Sequence, residues 1–467
     1  MAKTSYDDVA YPTAIFAQAT PDRLATMAIL HGLNPPPIAT SRVLEIGGGD
    51  GMNLFALAAA YSNTRCLSFD LATSAVERGR GWAETAGLAN VDIRQLDILD
   101  AAASAIEGEW DYVIAHGVYA WVPEPVREAV MRLIGRVLAP DGVAFVSYNA
   151  MPGGHLRLAM REMLLHRLEG VEGVEARLAA AKGALRAFAE ADPNEEPIAV
   201  AMRKLAAAMA DRPDEVLHHD ELGEVYAPQT VGEVAAAASA EGLAWLGDAG
   251  LGRLADGFAG ATDEAALRAV QTADYVEGRF FRQSLFVRAG AAPARIFAAE
   301  RVADLFAACR AAKEGETGYA LDAARFDVGD APLREGLDRL IARWPGRLRC
   351  GELFDDPPHL QALFGLFDAG LIELHATDAP FALEAGERPL ASPLARMQLA
   401  LGWPAISTLD HRTLAMPDPR ARAFLTLLDG TRDRGALEQD WVAAGHADDV
   451  SVEAALKMTA SAALLRA

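Results

Sequence analysis

The chain has few cysteines and no long apolar run, and each shortage excludes a class of protein. Only three of the 467 residues are cysteines, Cys66, Cys309 and Cys350, and no two of them have C-x-x-C spacing. The sequence therefore supports neither a disulfide framework nor a zinc site. No segment reaches the ~18 consecutive apolar residues of a membrane span, and residues 1–8 lack the apolar core of a signal peptide. We therefore expect a cytoplasmic protein with no membrane span and no metal site.

Positive charge is also scarce. The chain has 43 Lys and Arg against 65 Asp and Glu, which gives a formal net charge of −22. Residues 1–150 alone hold 17 acidic residues against 10 basic ones. Such a surface lacks the basic face that a phosphate backbone needs, so nucleic acid is not an expected partner. A peptide or protein that carries a basic group matches this charge better.

A glycine-rich turn is the most informative feature that is present. The apolar run Val43–Ile46 leads into Gly47-Gly48-Gly49-Asp50-Gly51, and an Ala- and Leu-rich helix follows over 52–61. Glycines let the backbone turn sharply and approach a ligand, and the first amides of the helix have free N–H groups. The spacing Glu45-x-Gly47-x-Gly49-x-Gly51 differs from the dinucleotide pattern G-x-G-x-x-G. An ordinary tight strand-to-helix turn is the alternative interpretation.

Apolar strands and helical stretches alternate after this turn. Asp70 ends the second strand, about 20 residues beyond the loop, where an acid in a Rossmann-like sheet binds ribose hydroxyls. The alternation predicts a parallel, doubly wound sheet with its ligand site at the carboxyl ends of the strands. The predicted strands are 43–46, 65–70, 91–95, 110–115 and 143–148, the last introduced by the turn Pro140-Asp141-Gly142. A helix over 231–242 and strands over 243–248 and 281–288 would complete a seven-stranded sheet.

These motifs resemble those of the class I S-adenosylmethionine (SAM) methyltransferases, whose first motif is an acidic residue followed by G-x-G-x-G. The segments Tyr11–Pro36, Ala115–Pro123 and Ser147–Gly154 narrow the resemblance to bacterial methyltransferases with a methyltransferase regulatory domain. That group includes the rickettsial protein lysine methyltransferases that modify outer-membrane proteins. The resemblance implies an α/β fold, Rossmann-like, with a seven-stranded sheet, a helical insertion and two small C-terminal domains that are winged-helix-like. It implies SAM as cofactor, S-adenosyl-L-homocysteine as product and a protein lysine as methyl acceptor.

The resemblance also implies which residues bind the cofactor. The glycine loop would lie against the methionine part of SAM, and the carboxylate of Glu45 would suit its ammonium and sulfonium. Asp97 would bind the adenine amino group and Ile98 would cover the ring, although Asp97 could equally be a helix N-cap. The Tyr11 segment would cap the pocket. The expected cofactor-binding residues are Tyr11, Glu45, Gly47, Gly48, Gly49, Gly51, Asn53, Asp70, Leu71, Asp97, Ile98, His116 and Gly117.

The acceptor side is predicted at the ends of the fourth and fifth strands. A lysine amine must be neutral to accept a methyl group, and Tyr or Asn oxygens can orient it. Tyr119, Tyr148 and Asn149 are therefore the catalytic candidates, with aromatic packing as the alternative for Tyr119. His116 either lies on the cofactor or relays a proton. The segment His218-His219-x-Glu221 could be drawn as a metal site, but a solvated helix end is the favoured interpretation.

The remaining residues predict an insertion and a two-part tail. The methyltransferase domain is expected over 1–150 and 225–290, with a helical insertion over 151–224 that serves as a lid, as a homodimerisation arm or as extra packing. A middle domain over 291–382 and a C-terminal domain over 383–467 are expected to contact protein, since they show no excess of Lys or Arg. A small-molecule N- or O-methyltransferase and a SAM-binding regulatory protein without turnover remain alternatives.

Overall fold

A computed structural model describes residues 4–191, 196–250, 263–294, 299–446 and 450–467. The predicted range 1–150 thus begins with three residues outside the described part. The centre of the structure is a seven-stranded sheet of strand order 3-2-1-4-5-7-6. The strands are β1 (Arg42–Ile46), β2 (Arg65–Asp70), β3 (Val91–Gln95), β4 (Trp110–Ala115), β5 (Leu138–Asn149), β6 (Leu243–Asp248) and β7 (Phe281–Arg288).

The sheet topology explains where a site can form. Strands β1 to β5 pair in parallel, while β7 runs antiparallel to both β5 and β6. The carboxyl ends of the parallel strands therefore meet at one edge, and the order reverses between β1 and β4, which is where ligands bind in such sheets. The predicted seven-stranded α/β fold is confirmed.

Helices cover both faces of the sheet. The two that matter most for the site are α1 (Pro21–Leu30) and α2 (Met52–Ala60), both of them almost entirely buried. The α1 N-cap is Thr20, whose hydroxyl accepts a hydrogen bond from the Arg23 amide, and Pro21 occupies the first helical position. Further helices that pack on the sheet or flank it are Thr73–Thr85, Glu124–Val137, Val231–Ala240 and Asp263–Glu277.

One local prediction about β5 is wrong. Pro140-Asp141-Gly142 does not form a turn that introduces the strand, because β5 begins at Leu138 and runs through it. The pairing with β4 shifts from Trp110–Leu138 to Tyr112–Val143 at this point. Pro140-Asp141-Gly142 therefore lies in an irregularity of the strand, where extra residues are accommodated without ending the pairing.

The described residues of the segment 151–224 form a helical layer with its own apolar core. Its long helices are Gly153–Arg167, Val174–Ala189 and Pro197–Ala210. Met160, Leu185 and Met209 are completely buried among them. A separate core of this kind makes the insertion a compact unit, and its role as a lid or a dimerisation arm stays a prediction.

The tail contains two small units. The first has a three-stranded sheet of Leu348–Arg349, Phe306–Ala308 and Glu373–His375, a second sheet of Ala312–Glu314, Gly318–Leu321 and Ala324–Asp327, and helices Ala331–Arg343 and Pro357–Asp368. The second has a hairpin of Ala405–Ser407 and Thr413–Ala415 and helices Pro393–Ala400, Pro419–Leu427, Arg434–Ala443 and Val452–Ser461. The domain boundaries themselves stay predictions.

The tail does not stand apart from the sheet. One apolar cluster joins Leu24 of α1 and Leu57 of α2 to Phe364 and Leu394 of the tail. Apolar surface of both regions is therefore removed from water at a shared boundary, which holds them together. Within the described ranges, no helix is both long enough and apolar enough to span a membrane.

Candidate functional site

The glycine loop has the backbone that its sequence predicts. Gly47, Gly49 and Gly51 all have positive φ angles, of 63°, 57° and 75°. A Cβ on Gly47 would lie 2.5 Å from Val118 Cγ2, and one on Gly48 would collide with the Ser68 hydroxyl and the Glu45 carboxylate. Side chains are therefore excluded here both by conformation and by space, so the loop backbone stays open to a ligand.

Two of the predicted acids flank this loop. Glu45 on β1 is 3% exposed, and its Oε1 accepts a hydrogen bond from Asn53 Nδ2 at 2.8 Å. Burial, with the nearby charges of Asp50 and Asp70, raises the pKa of Glu45 to about 8. Asp70, at the end of β2, accepts hydrogen bonds from the amides of Gly49 at 2.9 Å and Ala72 at 2.8 Å, and burial raises its pKa.

The charge around the loop suits a cationic ligand. Asp50 adds a third carboxylate, and Arg78 pairs with it at 3.2 Å. Burial first, and then repulsion from the neighbouring carboxylates, raises the pKa values of Glu45 and Asp70. A bound ammonium and sulfonium would relieve that repulsion, so these residues fit SAM.

The adenine side of the predicted site is more open. Asp97 follows β3, and its Oδ1 accepts a hydrogen bond from the Leu99 amide at 2.8 Å, as in the N-cap alternative. Ile98 is partly exposed and Leu71 is 38% exposed. These three side chains lie at the carboxyl ends of β2 and β3, where the resemblance implies adenosine contacts.

His116 and Gly117 lie at the end of β4. The His116 ring is stacked between Phe16, at 3.8 Å between centroids, and Phe145, at 5.8 Å. Burial lowers the pKa of His116 to about 4, so the ring is neutral at pH 7 and a weak base. The Gly117 amide donates to Ser147 Oγ at 2.8 Å. This environment favours a packing role for His116 over proton relay.

The three catalytic candidates have different surroundings. Tyr119 is 3% exposed and packs edge-on against Tyr148, whose hydroxyl is within 3.1 Å of Ser284 Oγ in the core. Asn149 ends β5, and its side chain is buried, yet its Oδ1 has no hydrogen-bond partner among the described residues. A buried acceptor without a donor is costly, so a ligand donor is expected to meet it. The structure thus brings Asn149 to the strand-end edge and packs both tyrosines into the core.

The N-terminal segment, residues 4–16, lies over the loop. Thr13 Oγ1 donates to Asp50 at 2.6 Å, and the Phe16 amide donates to Asn53 Oδ1 at 2.9 Å. Asn53 therefore links the segment to Glu45. The sequence predicted that the Tyr11 segment would cap the pocket, but it did not single out Thr13 and Phe16 as the residues that contact the loop. Their contacts exclude water from one side of the loop.

Tyr11 reaches the insertion instead of the loop. Its hydroxyl donates to Asp220 at 3.3 Å, and the neighbouring Tyr6 ring stacks on His219 at 4.1 Å. The His219 ring also lies 2.7 Å from the Val9 carbonyl oxygen. The N-terminal segment is thus held between the insertion and the methyltransferase sheet.

The segment 218–221 is not a solvated helix end, so that prediction is wrong. Glu221 is fully buried and accepts hydrogen bonds from Arg157 at 2.7 Å and from Arg212. A buried carboxylate needs such partners, and here other residues of the insertion supply them. The part of the chain that the structure describes contains no group of His, Cys, Asp and Glu that could hold a metal.

Comparison with known proteins gives matches over most of the chain. Three family models match: "Methyltransferase domain" over residues 43–142, "Predicted methyltransferase regulatory domain" over 213–288, and "PKMT, C-terminal winged helix domain" over 387–467. The uncharacterized protein RP028 of Rickettsia prowazekii is 35% identical over 224 residues, which are 48% of this chain and 89% of that protein.

Solved structures give the same fold. PKMT2 from Rickettsia typhi has a TM-score of 0.81 at 21% identity, over 97% of this chain and 100% of that chain. The structure of PKMT2 from Rickettsia typhi in complex with AdoHcy has a TM-score of 0.80 at 22% identity, over 97% and 99% of the two chains. The family matches, the relative and the geometry of the glycine loop all agree with one family of methyltransferases. The chain belongs to the SAM-dependent methyltransferases that combine a class I methyltransferase domain with a methyltransferase regulatory domain and a C-terminal winged-helix domain of the PKMT type.

Proposed function

We propose that this enzyme transfers the methyl group of SAM to the side-chain amine of lysine in a protein substrate. The observation that carries the proposal is the buried Oδ1 of Asn149 at the end of β5, which has no donor within the described residues. An amine has N–H groups to donate, whereas a carboxylate acceptor has none. The names of the PKMT-type winged-helix domain and of PKMT2 support a protein lysine as acceptor.

Bound SAM supplies a methyl group that is activated by its sulfonium. The residues of this chain must then align an amine with that methyl group and keep the amine neutral. Asn149 would accept one amine N–H and fix the direction of the nitrogen lone pair, which is the positioning that raises such rates. The rings of Phe16, His116 and Phe281 are apolar or neutral, and this surrounding lowers the pKa of an entering lysine. The proton that the lysine amine loses goes to solvent, because neutral His116 is too weak a base to hold it.

Glu45 provides a test of the cofactor side. At pH 7 its carboxyl is largely protonated without ligand, because its pKa is about 8. A cationic ligand favours the ionised form, so binding releases a proton. We therefore expect SAM affinity to rise between about pH 6 and pH 8, by no more than about tenfold per pH unit, and to level off above that range. Calorimetric titrations across this range measure the effect.

Glu45→Gln is the matched control for that titration. It keeps the shape of the side chain and removes the titrating proton, so the rise in affinity with pH should disappear. The ammonium of SAM titrates equally in both proteins. A wild-type affinity that is constant from about pH 6 to pH 8 would show that Glu45 does not face the cofactor charge.

A surface next to the site supports a protein as substrate. Tyr275, Val276, Phe280 and Phe281 are 39–78% exposed at the end of helix Asp263–Glu277 and the start of β7. Phe281 pairs with Asn149 across the sheet, and its ring lies 6.3 Å from that of His116. Exposed apolar residues grouped at a site are typical of a docking surface for a polypeptide.

Val276→Asp tests this surface. Val276 is 78% exposed, so its replacement should leave the fold intact while it places a charge in the docking surface. We expect KM for a protein substrate to rise about tenfold, with kcat and SAM affinity within about twofold. Met458→Asp, at a 55% exposed position on the C-terminal unit, is the control and should change none of these quantities. Unchanged KM in Val276→Asp would favour a small-molecule acceptor.

The two alternative functions can also be tested. A small-molecule N- or O-methyltransferase would methylate without any contribution of the apolar surface. A SAM-binding regulatory protein would bind SAM and produce no S-adenosylhomocysteine with a lysate or peptide library. Homodimer formation through residues 151–224 and a cytoplasmic location stay predictions, to be checked by light scattering and by fractionation.

A further inference from the structure

A cavity of about 220 Å³ lies where the methyltransferase domain meets the two units of the tail. The methyltransferase domain contributes the start of α1 and the end of α2, including Arg23 and Tyr61. The tail contributes Arg347, the segment Ile372–His375 and the hairpin loop Leu409–Arg412. The cavity volume is several times the ~30 Å³ of one water molecule, so it can hold a small organic or inorganic ion.

Two of the arginines that line this cavity have donors that make no hydrogen bond to the described residues. The Arg347 side chain is only 5% exposed, and among the described residues only its Nη1 has partners, the carbonyl oxygen of Thr377 at 2.9 Å and the Asp22 carboxylate at 3.7 Å among them. Arg23 uses Nε to donate to the Ala249 carbonyl at 2.8 Å, and its guanidinium lies 4.9 Å from the centroid of the Phe367 ring. Among residues that the structure describes, Nη1 and Nη2 of Arg23 and Nε and Nη2 of Arg347 have no hydrogen-bond partner. Guanidinium groups with unpaired donors can bind a carboxylate or a phosphate through charge-assisted hydrogen bonds.

The carboxylates around the cavity are already engaged. Asp22 lies 2.6 Å from His375 Nδ1 and accepts the Ala376 amide at 2.9 Å, and Asp410 accepts Arg412 Nε at 2.8 Å. Burial and Arg347 act to lower the pKa of His375, but Asp22 and Glu373 hold it above its usual value. The lining thus has three arginines (Arg23, Arg347, Arg412) beside three carboxylates (Asp22, Glu373, Asp410). Three arginines around one cavity are notable in a chain of net charge −22.

We propose that this cavity binds a small oxyanion, a carboxylate or a phosphate, between Arg23 and Arg347. Arg23 belongs to α1 and Arg347 to the tail, so the ligand would tie the tail to the methyltransferase domain. The neighbouring His411 continues this link, because its Nε2 lies 3.2 Å from the carbonyl oxygen of Asn53, the residue that joins Glu45 to the N-terminal segment. The site is separate from the methyl-transfer site and does not depend on the identity of the acceptor.

The experiment titrates the full-length protein with inorganic phosphate and, separately, with succinate, against sodium chloride of equal ionic strength. Thermal unfolding and calorimetry report binding. We expect Tm to rise and then level off with at least one of the two anions at concentrations below about 10 mM. An anion that binds the folded state but not the unfolded state raises Tm in this way. The two arms distinguish a phosphate ligand from a carboxylate ligand.

Variants locate the site. Arg347→Leu and Arg23→Leu should each weaken binding by about tenfold or more, since each removes charge-assisted hydrogen bonds. Arg349→Leu, at a half-exposed position two residues further along the chain, is the matched control and should bind as the wild type does. If Arg347→Leu does not fold, Arg347→Lys replaces it, because it keeps the charge but loses the fork of donors. Absence of saturable binding to the wild type, or equal binding by the Arg347 and Arg349 variants, would overturn the proposal.

Discussion

Asp70→Ala is expected to lower SAM affinity by about tenfold to a hundredfold while the protein stays folded. The carboxylate ends β2 beside the loop, and Gly49 and Ala72 amides hold it in place. Hydrogen bonds from ribose hydroxyls to a charged group contribute about 1.5–3 kcal/mol each, and the substitution removes them. Calorimetric titration with SAM measures the loss.

Asp92→Ala is the control for that variant. Asp92 lies on the neighbouring strand β3 with its side chain half-exposed, and it pairs with Arg94 at the surface. A surface pair of this kind contributes little, so SAM affinity should be unchanged. A folded Asp70→Ala protein that binds SAM as tightly as Asp92→Ala does would contradict the placement of the cofactor at this loop.

Asn149→Ala is expected to reduce kcat by about a hundredfold with SAM affinity within about threefold. The loss follows from the role of its Oδ1 in aligning the amine, because misalignment affects the chemical step more than binding. Single-turnover methylation and SAM titration of the same preparation separate the two quantities.

Tyr148→Phe is the matched control on the same strand. Its hydroxyl is bonded to Ser284 in the core and does not reach the strand-end edge, so kcat should change by less than about threefold. Equal losses of kcat and SAM affinity in Asn149→Ala would place Asn149 against the cofactor instead. A large loss in Tyr148→Phe would restore that tyrosine as a catalytic candidate.

The central sheet was predictable because its signals are local. Apolar runs of five or six residues, separated by helical stretches and turn residues, place β1 to β4 within a residue of their observed bounds. Glycine spacing and the acid at Asp70 are likewise local, and side chains at Gly47 and Gly48 are excluded by Val118, which follows β4, and by Ser68 on β2 and Glu45 on β1. Local patterns of this kind carry most of the cofactor side.

The acceptor side of the site was less predictable, because it depends on which side chains of β5 pack in the core and which lie at the strand end. Tyr148 and Asn149 are adjacent, so a single-residue difference places one side chain in the core and the other at the edge. By residue type alone, both Tyr148 and Asn149 are candidates for orienting the acceptor amine. The structure distinguishes them by the Tyr148 contact with Ser284 on β7, a residue that is 136 positions away.

The docking of the tail could not be predicted at all. Asp22 contacts His375 over 353 positions, and His411 contacts Asn53 over 358. Apolar periodicity shows that a helix has a buried face but does not name the partner of that face. The predicted small tail domains therefore gave no indication of the shared core or of the cavity that lies beside it.

The measurement that tests the central claim most directly is amino-acid analysis of protein substrates after incubation with the full-length enzyme and methyl-labelled SAM. Acid hydrolysis of the protein fraction, followed by chromatography against methylated standards, identifies the labelled residue. The account predicts that the label is recovered as ε-N-methylated lysine and that Asn149→Ala greatly reduces it. Label found only in small molecules, only in base-labile esters, or nowhere despite tight SAM binding would contradict protein lysine methylation.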